Sequence, residues 1–167
     1  MKKNKLAFWI SLFILLALPA ISLYYSFQGS RLRKNSLVEL SPKGSLETGL
    51  ASRISGEFNY RVIGSACEEV ELTGALIDQF AQEKIQFVIL NDSIFERRFP
   101  PRQVENWKKQ DILLILLDPG LRVPGEQNPC TFVLVNKKSE ILNSYHLTDP
   151  VERRKLVEHL AFLVTSK

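Results

Sequence analysis

The chain has 167 residues, 45% hydrophobic and 24% charged, enough for one ordinary core once its apolar first thirty residues are set aside. Its net charge of +4 divides unevenly: Lys2, Lys3 and Lys5 precede any acid, so 22 − 3 leaves 19 basic against 18 acidic residues beyond position 30. A domain of net charge +1 lacks the electrostatic footprint of a nucleic-acid binder, and two cysteines are too few for a disulfide framework.

Leu6 to Phe27, "LAFWISLFILLALPAISLYYSF", carries no charged residue. A helix of that length spans about 33 Å, enough for a hydrocarbon core of about 30 Å. This predicts a transmembrane signal anchor at 6–27, after a short cytoplasmic tail at 1–5 and before a stalk at 28–36. A cleaved signal peptide is the rival, but Leu18-Pro19-Ala20 is a poor small-x-small cleavage site. Arg31, Arg33 and Lys34 balance the leading lysines, so charge leaves the orientation tied. The five-residue tail ahead of the apolar run is the usual signal-anchor arrangement. It predicts a domain at 37–167 on the periplasmic or extracytoplasmic side, where two cysteines can pair.

Within that domain, Pro42-Lys43-Gly44 suggests a short hairpin. "EFNYRVIG", 57–64, alternates Phe58, Tyr60 and Val62 and reads as a strand. Leu72, Leu76, Ile77 and Phe80 recur at helical spacing over 69–82, with Glu68, Glu69 and Glu71 at the positive end of the helix dipole. "IQFVIL", 85–90, and "ILLILL", 112–117, are apolar runs expected to be strands buried on both faces. Between them, Pro101 suits the start of a short helix carrying Val104 and Trp107, which with Phe99 fill the groove between helix and sheet. Arg97, Arg102, Lys108 and Lys109 form a solvated face. "TFVLV", 131–135, and "EILNSY", 140–145, are separated only by Asn136 to Ser139 and so form an antiparallel hairpin. Asp149 and Glu152 make a capping-box pattern around Pro150, ahead of a stripe of Leu156, Val157, Leu160 and Leu163.

Cys67 falls where the first strand gives way to a helix. Three readings of Cys67 and Cys130 stand: small buried side chains, a structural disulfide, or a metal or thiol site. His146 is expected in an exposed loop and His159 at the edge of the last helix's apolar stripe, neither at metal-ligand spacing. No phosphate loop, catalytic triad or zinc signature occurs.

The element order, with "GEFNYRVIGSACEEVELTGALIDQF" as its strand-turn-helix, resembles a thioredoxin-like α/β fold, a mixed sheet flanked by helices, with Cys67 in the first redox position. "LVELSPKGSL" and "PCTFVLVNKKSEILNSYHLTDPVERRKLVEHLAFLV" extend the resemblance, over roughly 37–165, to the SCO family of membrane-anchored cytochrome-oxidase assembly and copper-insertion proteins. That family binds copper through C-x-x-x-C and a distant histidine. Here Glu71 stands in the second cysteine position, Val70 would fill it in a C-x-x-C motif, and Asn128-Pro129-Cys130 occupies the histidine region. The resemblance implies that Pro129 faces the redox motif across the groove and brings Cys130 toward Cys67. The pair would then be close enough for a disulfide or for two-coordinate binding of copper as Cu(I).

The expected role is that of a membrane-anchored accessory protein in respiratory-complex (cytochrome oxidase) assembly or copper and thiol handling, without catalytic turnover. Its expected partners are the membrane, through residues 6–27, and another protein or membrane complex, with no nucleic acid. The alternatives are a non-catalytic interaction module and an integral subunit of a larger membrane complex.

Overall fold

The computed structural model describes residues 17–19, 21–26, 29, 38–54, 57–65, 67, 70–125 and 130–165. The chain separates into two compact units, Met1–Val38 and Glu39–Lys167. In the first, residues 17–19 and 21–26 are helical, and Leu18, Ile21, Leu23, Tyr24 and Tyr25 are exposed. The tail, most of the expected anchor and the stalk beyond Gly29 lie outside the described residues. Among the described residues, no helix is long and apolar enough to cross a membrane.

The second unit is built on a six-stranded sheet. Its elements in chain order are β1 (Gly44–Ser45), α1 (Thr48–Arg53), β2 (Tyr60–Ser65), α2 (Val70–Phe80), β3 (Ile85–Leu90), a 3-10 turn (Phe95–Arg98), α3 (Pro101–Lys109), β4 (Leu113–Leu116), β5 (Thr131–Asn136), β6 (Glu140–His146) and α4 (Pro150–Thr165). The strand order is β1-β6-β5-β2-β3-β4. β2, β3 and β4 run parallel, joined by helical crossovers, while β5 pairs antiparallel with β2, β6 with β5, and β1 with β6. A strand-helix-strand unit continued by an antiparallel hairpin and a closing helix is a thioredoxin-like α/β arrangement.

β2 and β3 are buried on both faces because each lies between two neighbours and under helices. Val62, Phe87, Ile89, Phe132 and Leu134 face one core, closed by Leu76, Ile77 and Phe80 of α2, Val104 and Trp107 of α3, and Leu156 and Leu160 of α4. Ile63, Val88, Leu90, Val133 and Val135 face a second core. The alternation along β2 therefore sorts successive residues to opposite layers.

Two expectations change, and one helix is new. The Pro42-Lys43-Gly44 segment does not form a local hairpin; Gly44 and Ser45 pair with Ile141 and Glu140 of β6. The chain then enters α1, because Leu46, Leu50 and Ile54, four residues apart, seat together on the second core. The 112–117 run is not buried on both faces. β4 is the sheet edge, half-buried over Leu114, Ile115 and Leu116, with Leu117 62% exposed.

Elsewhere local chemistry acts as the residues suggest. Pro101 opens α3, and its Trp107 donates its indole N–H to Asp78 of α2 at 2.7 Å while its ring meets Phe99 edge-on. Asp149 caps α4 by accepting the Val151 N–H at 2.8 Å. The capping box is only half made: the Asp149 N–H goes to the His146 carbonyl, and Glu152 pairs with Lys155. On the expected solvated face, Lys108 pairs with Glu96 and Lys109 with Glu105, while Arg97 and Arg102 are exposed.

Gly64 of β2 lies opposite Phe132 of β5, and a methyl group there would overlap the Phe132 ring. Gly64→Ala is expected to destabilise the domain by about 1–3 kcal/mol through overpacking. Denaturant unfolding measures this, and pairing it with Phe132→Leu should recover part of the loss.

Candidate functional site

The β2–β5 ladder ends at Gly64 and Phe132, and the β2–β3 ladder ends at Ser65 and Leu90. Cys67 lies just beyond β2 and Cys130 just before β5, so the two leave the sheet at the same end. They are joined as a disulfide, with Cα atoms 4.6 Å apart and a sequence separation of 63. Both are buried, Cys67 at 6% and Cys130 at 2% exposure. Cys130 adopts a φ of 66°. This left-handed conformation costs a non-glycine residue roughly 1–2 kcal/mol. The bond to Cys67 and the Leu147 N–H donated to the Cys130 carbonyl at 3.1 Å hold it there.

Two charges of one sense approach Cys67. It lies shortly before the first turn of α2, at the positive end of that helix. Arg98, at the end of the 3-10 turn, donates Nη1 to the Cys67 carbonyl at 3.1 Å. Two buried side-chain oxygens at the same end of the sheet, Ser65 Oγ and Asp92 Oδ2, have no hydrogen-bond partner among the described residues. Such groups each cost about 1–3 kcal/mol and mark places where a ligand, water or moving partner belongs. Sequence reasoning missed Ser65, Asp92 and Arg98; the available signal was polar residues directly after the buried strands β2 and β3.

Pro129 lies outside the described residues, as do Glu68 and Glu69. Glu71 is exposed on α2, away from any ligand set. Among the described residues, no three His, Cys, Asp or Glu side chains gather as a metal cluster.

The histidines depart from expectation. His146 is the last residue of β6, half-buried, with Nδ1 3.2 Å from Thr131 Oγ1. His159 sits inside the apolar stripe of α4 rather than at its edge, 4% exposed. Its Nδ1 lies 2.6 Å from Tyr145 Oη, and its Nε2 lies 3.2 Å from Glu39 Oε2. With the ring neutral, Tyr145 donates to Nδ1 and Nε2–H donates to Glu39, so every polar atom of the ring is used. Burial pushes the His159 pKa below its ordinary value, against the pull of Glu39. Burial likewise raises the Tyr145 phenol.

No protein-family profile matches the chain, and no curated protein matches it. Solved structures do resemble it. A protein of Neisseria meningitidis described as a thioredoxin shares 19% identity over 66% of this chain and 79% of its own, with a TM-score of 0.44. Copper-bound yeast Sco1 shares 13% over 65% and 77%, with a TM-score of 0.38. A Chlorobium tepidum protein described as the thiol:disulfide interchange protein DsbE shares 14% over 74% and 94%, with a TM-score of 0.43. These neighbours are all thioredoxin-like. The strand order, with Cys67 just beyond β2, gives this chain a thioredoxin-like arrangement in its own right.

Closing a loop of 63 residues contributes about 4 kcal/mol in the chain-entropy model. Cys67→Ala or Cys130→Ala is expected to lose about 2–4 kcal/mol in denaturant unfolding, and reduction of the wild type should give a similar loss. For His159, the folded pKa lies below the unfolded value of about 6.5, so its contribution is complete above pH 6.5 and is lost as pH falls below it. Unfolding free energy measured between pH 7.5 and about 5 should show that decline, and His159→Gln should flatten it.

Proposed function

We propose that the protein is a membrane-anchored accessory domain that handles thiols or copper through the Cys67–Cys130 pair. The observation that carries this reading is the disulfide at the open end of the β2–β3 and β2–β5 ladders, where the Cys67 strand gives way to α2. Opening it takes two electrons and two protons from a dithiol partner, which leaves as a disulfide while Cys67 and Cys130 become thiols. The α2 N-terminus lies near Cys67 and Arg98 bonds its carbonyl, while the acidic Glu71 in the first turn of α2 opposes them.

Copper fits the donor set of the reduced pair. Two thiolate sulfurs suit Cu(I), which accepts two-coordinate soft ligation, and binding would release the thiol protons. While the sulfurs are bonded to each other they offer no thiolate, so the oxidised form excludes copper. Redox state thus decides whether cargo is held.

The disulfide itself supports an oxidising, extracytoplasmic location. The uncharged run at 6–27 and the exposed Leu18, Ile21, Leu23, Tyr24 and Tyr25 support the anchor. A nearly neutral domain gives no electrostatic support for a nucleic-acid partner, and in this reading the partner is a protein or membrane complex. Respiratory-complex assembly is the process this combination serves. A second reading draws on the burial of both sulfurs: the bridge is a permanent staple, and the domain is a non-catalytic interaction module.

Free-thiol counting and a redox titration on the purified chain separate the two, followed by Cu(I) titration of the reduced form. A potential above about −270 mV with one tight copper per chain is expected. A potential below about −300 mV with no copper binding would instead make the bridge a staple.

A further inference from the structure

The two edges of the sheet are unlike. β1 is only two residues long, whereas β4 and Leu117 present "LLILL" with no charge, proline or bulge. Protein edges are ordinarily blunted by one of those devices, because unpaired backbone groups recruit another strand.

The orientation of the β4 backbone follows from its bonds to β3. Phe87 N–H donates to the Ile112 carbonyl at 2.7 Å and Asn91 N–H to the Leu116 carbonyl at 2.8 Å. In a parallel ladder alternate residues bond the neighbour, so Ile112, Leu114 and Leu116 face β3. The N–H and C=O groups of Leu113, Ile115 and Leu117 therefore point outward, and among the described residues nothing bonds them.

We infer that β4 is a self-pairing edge, on which a second copy of this chain lays its own β4 antiparallel about a two-fold axis at Ile115. That register sets Ile115 against Ile115 of the second copy, and Leu113 against Leu117 of the second copy. Every outward-pointing group then meets another outward-pointing group, and each of these pairs exchanges two N–H···O bonds. The exposed Leu117 gains an apolar cross-strand neighbour. A slip of one residue in either direction would set these outward groups against groups already bonded to β3, and a slip of two would leave fewer of residues 113–117 paired. The contact is isologous and closed, as a dimer requires.

The test uses the full 167-residue chain in detergent, with sedimentation equilibrium and oxidative cross-linking. A hydrogen-bonded pair at the two-fold axis has Cα atoms about 5.5 Å apart, within disulfide range. Ile115→Cys is therefore expected to cross-link as a homodimer, and Leu114→Cys far less. Leu117→Lys alters an exposed side chain and is expected to weaken the dimer at least about tenfold with an unchanged thermal midpoint. A monomer at all concentrations up to about 100 μM would overturn the inference. So would a dimer that Leu117→Lys leaves intact with equal cross-linking at both positions, because assembly would then run through another part of the chain. Cross-linking of Ile115→Cys in native membranes to a different protein, without homodimer, would also overturn it.

Discussion

The fold depends on β2 being hydrogen-bonded along both edges, to β3 in parallel and to β5 antiparallel, while its side chains alternate between two cores. A strand placed so has no freedom of register, because a one-residue slip would exchange Val62 and Ile63 between layers and push the Phe132 ring off Gly64. Gly64 is the one place in β2 where a side chain is given up, and the Phe132 ring takes the space. The constraint then passes to β3 and β5, whose ends are fixed by the same register.

Because both ladders stop together, the chain segments leaving them meet, and this is how two cysteines far apart in sequence become bonded. The site combines features of opposite tendency. The bridge and the buried sulfurs stabilise the end of the sheet, while a left-handed Cys130 and two unpartnered oxygens, Ser65 Oγ and Asp92 Oδ2, cost free energy there. Regions that hold such costs within an otherwise satisfied core are where chemistry or exchange is commonly placed. The Tyr145–His159–Glu39 chain shows the contrast: a buried polar cluster with each ring nitrogen used, tying α4 to β6 and to the start of the domain.

Sheet and helix faces also divide the roles of the cores. The larger core lies under α2, α3 and α4 and supports the disulfide end through Phe132, Phe95 and Leu147. The smaller lies under α1 and Val123 and thins toward β4, whose Leu114 and Leu116 are only partly covered. The sheet thus ends in a two-residue strand at β1 and in a longer, partly covered strand at β4.

The elements whose signals are local were legible in the residues alone. The "IQFVIL" run gave β3 residue for residue, Pro101 marked the start of α3, Asn136 to Ser139 marked the hairpin, and Asp149-Pro150 marked the start of α4. Their order already indicated the thioredoxin-like class, and Cys67 and Cys130 stood out by position. The residues alone did not show that β4 is an edge, since a run of leucines reads alike in a central strand and at a border; only the lack of a second neighbouring strand among the described residues decides it. The sequence likewise hid α1, where Leu50 and the flanking Leu46 and Ile54 gain a helical meaning once a sheet face lies beneath them. His159 read as peripheral because the acceptor and donor that satisfy it, Glu39 and Tyr145, come from distant elements. Local patterns fix local backbone; pairing, burial and the meeting of side chains across many residues are set by register, which exists only once the strands have come together.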